Sequence, residues 1–176
     1  THGINDLRIF FIKNKKKIPI YCDNKTKSYL LKNFKYCFKD TTSYPAILKF
    51  NLIRKNNHFK DKKIYLNIKS IKVGHGRVEC NAFIINDKCA YLSDVNTIYE
   101  KDYKHFKNLK YFVVDCLRFK KHPSHFNLDE VLELVKILKP KKTILTNLHV
   151  DFDYNDLRKI LPKNILPAYD GMNFNL

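Results

Sequence analysis

Three side chains able to hold a metal ion follow short apolar runs in this sequence: His75 after residues 64–73, Asp94 after 88–92, and His149 three residues past Thr146. Imidazole nitrogen and carboxylate oxygen together suit zinc, manganese or iron, and with one position left for water such a set supports hydrolysis. Each could be something plainer, a surface histidine or an aspartate capping a turn. Their shared placement is what groups them, because α/β proteins build their sites just beyond the carboxyl ends of buried strands.

The elements that must position them can be read from periodicity. Ile18-Pro-Ile-Tyr-Cys22 predicts a short buried strand, and Tyr29, Leu30, Phe34, Tyr36 and Phe38 stand near helical spacing over 25–38. Residues 64–73 alternate as a half-buried strand that Gly74-His75-Gly76 ends. Runs 80–85 and 88–92, separated by Asn86-Asp87, predict a hairpin. A helical stretch over 99–106 precedes a buried strand, Tyr111-Phe-Val-Val-Asp115. Asn127 with Glu130 three residues later signals a capped helix, whose stripe of Leu128, Val131, Leu132, Val135 and Leu138 stops at Lys139-Pro140. A strand at 143–146, a helix at 154–161 and a terminal strand at 165–174, bent at Asp170-Gly171, complete the α/β reading.

At 176 residues, with six prolines and four glycines scattered and no repeat, the chain predicts a single domain spanning 1–176. No apolar run approaches the roughly 20 residues of a membrane span. A soluble, cytoplasmic protein with no membrane partner is expected. Five cysteines without a Cys-x-x-Cys pair read as reduced thiols. The N-terminus has neither an initiator methionine nor a signal-peptide pattern, which suggests processing, disorder or truncation upstream. A net charge of +17 invites a nucleic-acid partner. The excess is nearly all lysine, however, and comes with abundant asparagine and isoleucine, as in an AT-rich genome. A small anionic substrate would benefit from the same field.

Seven segments in order, Gly3-Ile-Asn-Asp-Leu-Arg8, His75-Gly76, Tyr91-Leu-Ser-Asp94, Asp115-Cys-Leu-Arg118, His122-Pro-Ser-His125-Phe-Asn-Leu128, Ile144-Leu-Thr-Asn-Leu-His149 and Tyr169-Asp-Gly-Met172, cover nearly the whole chain. Together they resemble the metallo-β-lactamase fold, in the branch of the phosphonate-pathway cyclic phosphodiesterases. The resemblance implies an αββα four-layer sandwich, here its C-terminal portion and incomplete at the N-terminus. It makes His75 and His149 metal ligands and Asp94 the carboxylate bridging two divalent metal ions, zinc or manganese, in the complete protein. The match at His149 is looser, since many relatives carry histidine where this sequence has Asn147. His125 resembles a histidine beside the leaving group that acts as general acid or positions the phosphate. Asp94 and His125 are thus the expected catalytic residues.

The family's His-x-His-x-Asp-His cluster would fall just ahead of Thr1, so the 176-residue chain alone is expected to hold at most one metal, weakly, and to be inactive. His2 is a further candidate ligand. Asp170 reads as a carboxylate packing behind the site, Arg118 and His122 as phosphate contacts or solvated surface, and Asp6 with Arg8 as a structural pair. The implied reaction is hydrolysis of a small, cyclic phosphate ester, and a homodimer is compatible with it. The alternatives are an RNA-processing nuclease of the same fold and an inactive binding module.

Overall fold

The computed structural model describes residues 2–42, 44–61 and 64–176, without the side chains of His2 and Asp61. The reading of His2 as a ligand therefore lies outside the described residues. Two compact units are present, Thr1–Arg54 and Lys55–Leu176.

In the first unit a 3-10 turn, His2–Leu7, runs into α1 (Arg8–Asn14). Two parallel strands follow, β1 (Ile18–Cys22) and β2 (Leu48–Leu52). Parallel neighbours need a crossover, and α2 (Asn24–Asn33) with the single turn α3 (Lys35–Phe38) supplies it. The helix expected over 25–38 is interrupted at Phe34, whose backbone leaves the helical region at φ −131°. Cys37, Ile47 and Leu48 form the small core. Arg8 approaches the Asn5 Oδ1 atom at 3.4 Å and the Pro45 carbonyl at 3.3 Å, a structural role with a partner other than Asp6.

The second unit is one seven-stranded sheet in the order β3-β4-β5-β6-β7-β8-β9. Strands β3 (Asn56–Asp61), β4 (Ile64–His75), β5 (Val78–Ile85) and β6 (Cys89–Leu92) are antiparallel neighbours. From β6 the sheet continues parallel through β7 (Tyr111–Asp115), β8 (Lys142–Thr146) and β9 (Ile165–Pro167). A 3-10 helix (Glu100–His105), α4 (Leu128–Leu138) and α5 (Tyr154–Ile160) make the three crossovers. Alternation divides β7 between two faces: Phe112 and Val114 join the large core against α4, while Val113 packs with Cys89 and Ile144. The capping box expected at α4 is present, with the Asn127 side chain accepting from the Glu130 N–H at 3.0 Å and the Glu130 carboxylate accepting from the Asn127 N–H at 3.0 Å.

Three differences from the sequence reading have local causes. β4 does not stop at Val73 but runs to His75, because Gly74 is tied to Thr97 and the reversal begins only at Gly76 (φ +61°). The terminal strand ends at Pro167, and Asp170-Gly171 lies in a turn rather than a bend. Strand β3 lacks a clean apolar alternation and pattern reading misses it; pairing with β4 creates it. The Asn86-Asp87 turn is as expected, both residues sitting at positive φ (52° and 51°), which asparagine and aspartate tolerate best after glycine.

Candidate metal centre

At the carboxyl end of β4, a two-residue turn leaves His75 at its entrance. Gly76 is required there: at φ +61° a side chain is strained, and a Cβ would lie 2.9 Å from the Ser124 Cβ. That close approach lets the His75 Nδ1 atom meet the Ser124 carbonyl at 2.7 Å. A carbonyl only accepts, so Nδ1 carries the proton and Nε2 keeps a free lone pair. Asn96 fixes the same approach, donating to the Pro123 carbonyl at 2.9 Å and accepting from the Gly76 N–H at 3.0 Å.

His125 sits on the loop that leaves β7 and returns to α4. The loop is closed at its neck by the Leu117 N–H on the Phe126 carbonyl (2.9 Å) and tied to β6 by the Phe126 N–H on the Val95 carbonyl (3.0 Å). The His125 Nδ1 atom makes a short hydrogen bond to Asp115 Oδ2, again leaving Nε2 as the other ring nitrogen. Asp115 is completely buried at the end of β7. Its Oδ2 also accepts from the Val95 N–H at 3.0 Å, and its Oδ1 from the Asn147 side chain at 3.2 Å. Burial pushes this carboxyl above the ordinary carboxylate value, and the three donors pull it back. Asp94, just past β6, is oriented by the Ser93 hydroxyl at 3.0 Å.

Ligand atoms of His75, Asp94 and His125 all lie within 4.8 Å of one another. Two imidazoles with their other nitrogens engaged, and one exposed carboxylate, suit a borderline divalent ion such as zinc, so the donor set fits a metal. His149 is not in this group. Its ring pairs with Asp151 at 3.3 Å, it is half exposed, and its backbone N–H donates to the Leu117 carbonyl at 2.9 Å. Asn147 is the residue of that segment that reaches the centre. At φ +61° it turns its amide so that Nδ2 spans the Ser93 carbonyl at 3.4 Å and Asp115, and approaches His125 Nδ1 at 3.3 Å.

Asp170 meets neither histidine among the described residues; Asp115 is the carboxylate behind His125. Sequence reading assigned Asp115 no role, although a charged residue ending the otherwise apolar strand Tyr111-Phe-Val-Val-Asp115 was a usable signal. Arg118 spends its guanidinium on its own loop, donating to the Lys120 and Lys121 carbonyls at 3.2 and 3.0 Å. His122 lies 5.0 Å from His125, ring centre to ring centre, and burial together with His125 and Arg118 holds it below the usual imidazole value.

Residues 1–147 match the profile described as the Beta-lactamase superfamily domain. The chain belongs to this superfamily. Among solved structures, a diphosphatase of the PhnP family is 25% identical with a TM-score of 0.83, covering 97% of this chain and 63% of its own. The metallo-β-lactamase fold protein YhfI from Bacillus subtilis is 18% identical, with a TM-score of 0.74 over 97% of this chain and 70% of its own. Zn(2+)-bound PqqB from Methylobacterium extorquens is 11% identical, with a TM-score of 0.69 over 92% of this chain and 66% of its own. No curated protein matches the sequence. The chain thus spans somewhat under two thirds of the diphosphatase's length. The α/β metallo-β-lactamase fold and the PhnP-like branch expected from the seven sequence segments are both borne out. No described helix is long and apolar enough to cross a membrane.

Proposed function

We propose that this superfamily member is a metal-dependent phosphoesterase, hydrolysing a small phosphodiester or cyclic phosphate. The observation that carries the reading is the convergence of His75, Asp94 and His125, with both histidine Nδ1 atoms engaged in hydrogen bonds and Nε2 left as the nitrogen free to bind. Zinc or manganese held there would supply Lewis acidity and an activated water. His75 and Asp94 do the holding. The Asp115 carboxylate, fixed by Val95 and Asn147, keeps His125 in one orientation and stabilises its ring when it gains a second proton. In that state His125 Nε2–H can donate to a departing alkoxide, and without the proton Nε2 can join the metal. The likeness to a PhnP-family diphosphatase supports a phosphoryl substrate.

The test is metal analysis and hydrolysis of bis(4-nitrophenyl) phosphate, with added zinc or manganese, by a protein that joins this chain to an upstream His-x-His-x-Asp-His segment. Bound metal and turnover are expected, with His75→Ala and Asp94→Ala each removing more than about 99% of the rate while the circular dichroism spectrum is unchanged, the loss expected for removed ligands. Absence of both metal and turnover rejects the reading. The charge of +17 favours a second reading, a nuclease. It requires RNA affinity that falls steeply between 50 and 200 mM salt, by about a thousandfold or more for six phosphate contacts.

A further inference from the structure

Beside the metal centre, beyond the ends of β8 and β9, a cavity of about 440 Å³ is lined by residues 146–148 and 168–171. Asn147 is common to both, since it forms part of this wall and also binds Asp115 and approaches His125. The far wall is a tight turn in which the Met172 N–H donates to the Tyr169 carbonyl at 3.0 Å. Gly171 at φ +90° takes the position that needs a left-handed residue, which places Asp170 at the leading corner. Tyr169 is braced edge-on by Tyr154, with ring centroids 6.2 Å apart.

The chain carries 34 lysines and arginines against 17 aspartates and glutamates, yet among the described residues no cationic side chain lines this cavity, and one carboxylate, Asp170, does. Among the described residues that carboxylate meets no donor. The Thr146 and Tyr169 hydroxyls and the Asn147 amide can all accept as well. Of these groups only the Asp170 carboxylate cannot donate, so its side of the wall repels a phosphate and rewards hydrogen-bond donors.

We infer, resting on the phosphoesterase reading above, that the cavity seats the alcohol portion of the substrate, and that this portion carries donors, hydroxyls or an ammonium, held by Asp170. The phosphate then lies over His75, Asp94 and His125 with the ester oxygen toward Asn147. Asp170 is a specificity determinant and takes no part in the chemistry.

Three methyl phosphodiesters, of glycerol, ethanolamine and propanol, share the phosphate and differ only in the alcohol. Their dissociation constants, measured by ligand-observed NMR, need no turnover. The wild-type chain should bind the glycerol or ethanolamine ester about tenfold more tightly than the propyl ester, the worth of one hydrogen bond to a charged group. Asp170→Ala, an exposed change that leaves the fold intact, should erase the difference. Asp170→Asn keeps an accepting oxygen without the charge, so it should retain preference for hydroxyls and lose preference for ammonium. Equal binding of all three esters by the wild type, or a preference surviving Asp170→Ala, overturns the inference. Hydrolysis of the preferred ester is scored separately, in the protein that also carries the upstream His-x-His-x-Asp-His segment: selective binding without turnover there rejects the phosphoesterase reading and leaves the donor-binding seat in place.

Discussion

The antiparallel and parallel halves of the large sheet contribute very differently to the centre. Among the described residues of the antiparallel strands β3 to β5, only the last residue of β4, His75, takes part, and the far end of the β3–β4 hairpin leaves Ile64 and Tyr65 about 60% exposed. The parallel half delivers Asp94 after β6, Asp115 at the end of β7, Asn147 after β8 and the 168–171 turn after β9. Parallel strands all finish on one side, so residues far apart in sequence collect at one edge, whereas a hairpin sends successive strand ends to opposite edges. A chemical centre therefore grows along a parallel run and takes single residues from an antiparallel one.

Breaking the parallel side should have the largest effect. Asp115→Ala would leave the Val95 N–H, the His125 Nδ1–H and the Asn147 amide facing a buried void. A loss of about 2–3 kcal/mol in urea unfolding is expected for these stranded donors. Metal affinity, measured by competition with a chromophoric chelator, should fall about 10- to 100-fold, as when a carboxylate behind a ligating histidine is removed. Asp115→Asn, which keeps acceptor oxygen, should lose less of each; equal metal affinity in all three proteins would detach Asp115 from the centre.

An intermediate effect is expected where the two halves meet. Gly76→Ala forces a side chain into a left-handed conformation and to within 2.9 Å of the Ser124 Cβ. Strain of about 1–2 kcal/mol follows. The displaced Ser124 carbonyl should release His75 Nδ1, visible as a mixture of ring tautomers in long-range nitrogen–proton NMR spectra. A single Nδ1–H tautomer in the variant would show that Ser124 does not set it.

The smallest change belongs to the far end of the hairpin. Tyr65→Ala removes an exposed side chain whose hydroxyl lies 3.4 Å from His58. Stability should move by about 0.5 kcal/mol or less, and metal affinity should be unchanged within error. A measurable fall in affinity would mean that the antiparallel half supports the centre through its length, against the division drawn above.

Local sequence determined the elements whose signals are local. The capping box at Asn127, the Asn86-Asp87 turn and the apolar runs of β1 and β7 each follow from a few neighbouring residues; His75 and Asp94 were singled out by type and by position next to such runs, and His125 by the family resemblance of its segment. Tertiary structure alone decided which of these residues meet. Asp115 and Asn147 are 32 positions apart, and their contact exists because β7 and β8 lie side by side in parallel register. Equally, whether His125 or His149 joins His75 and Asp94 depends on the pinning of a loop by Phe126 and on the left-handed turn at Asn147. Hydrogen bonds between strand ends carry no periodic imprint along the chain, so no spacing rule could have separated the two histidines.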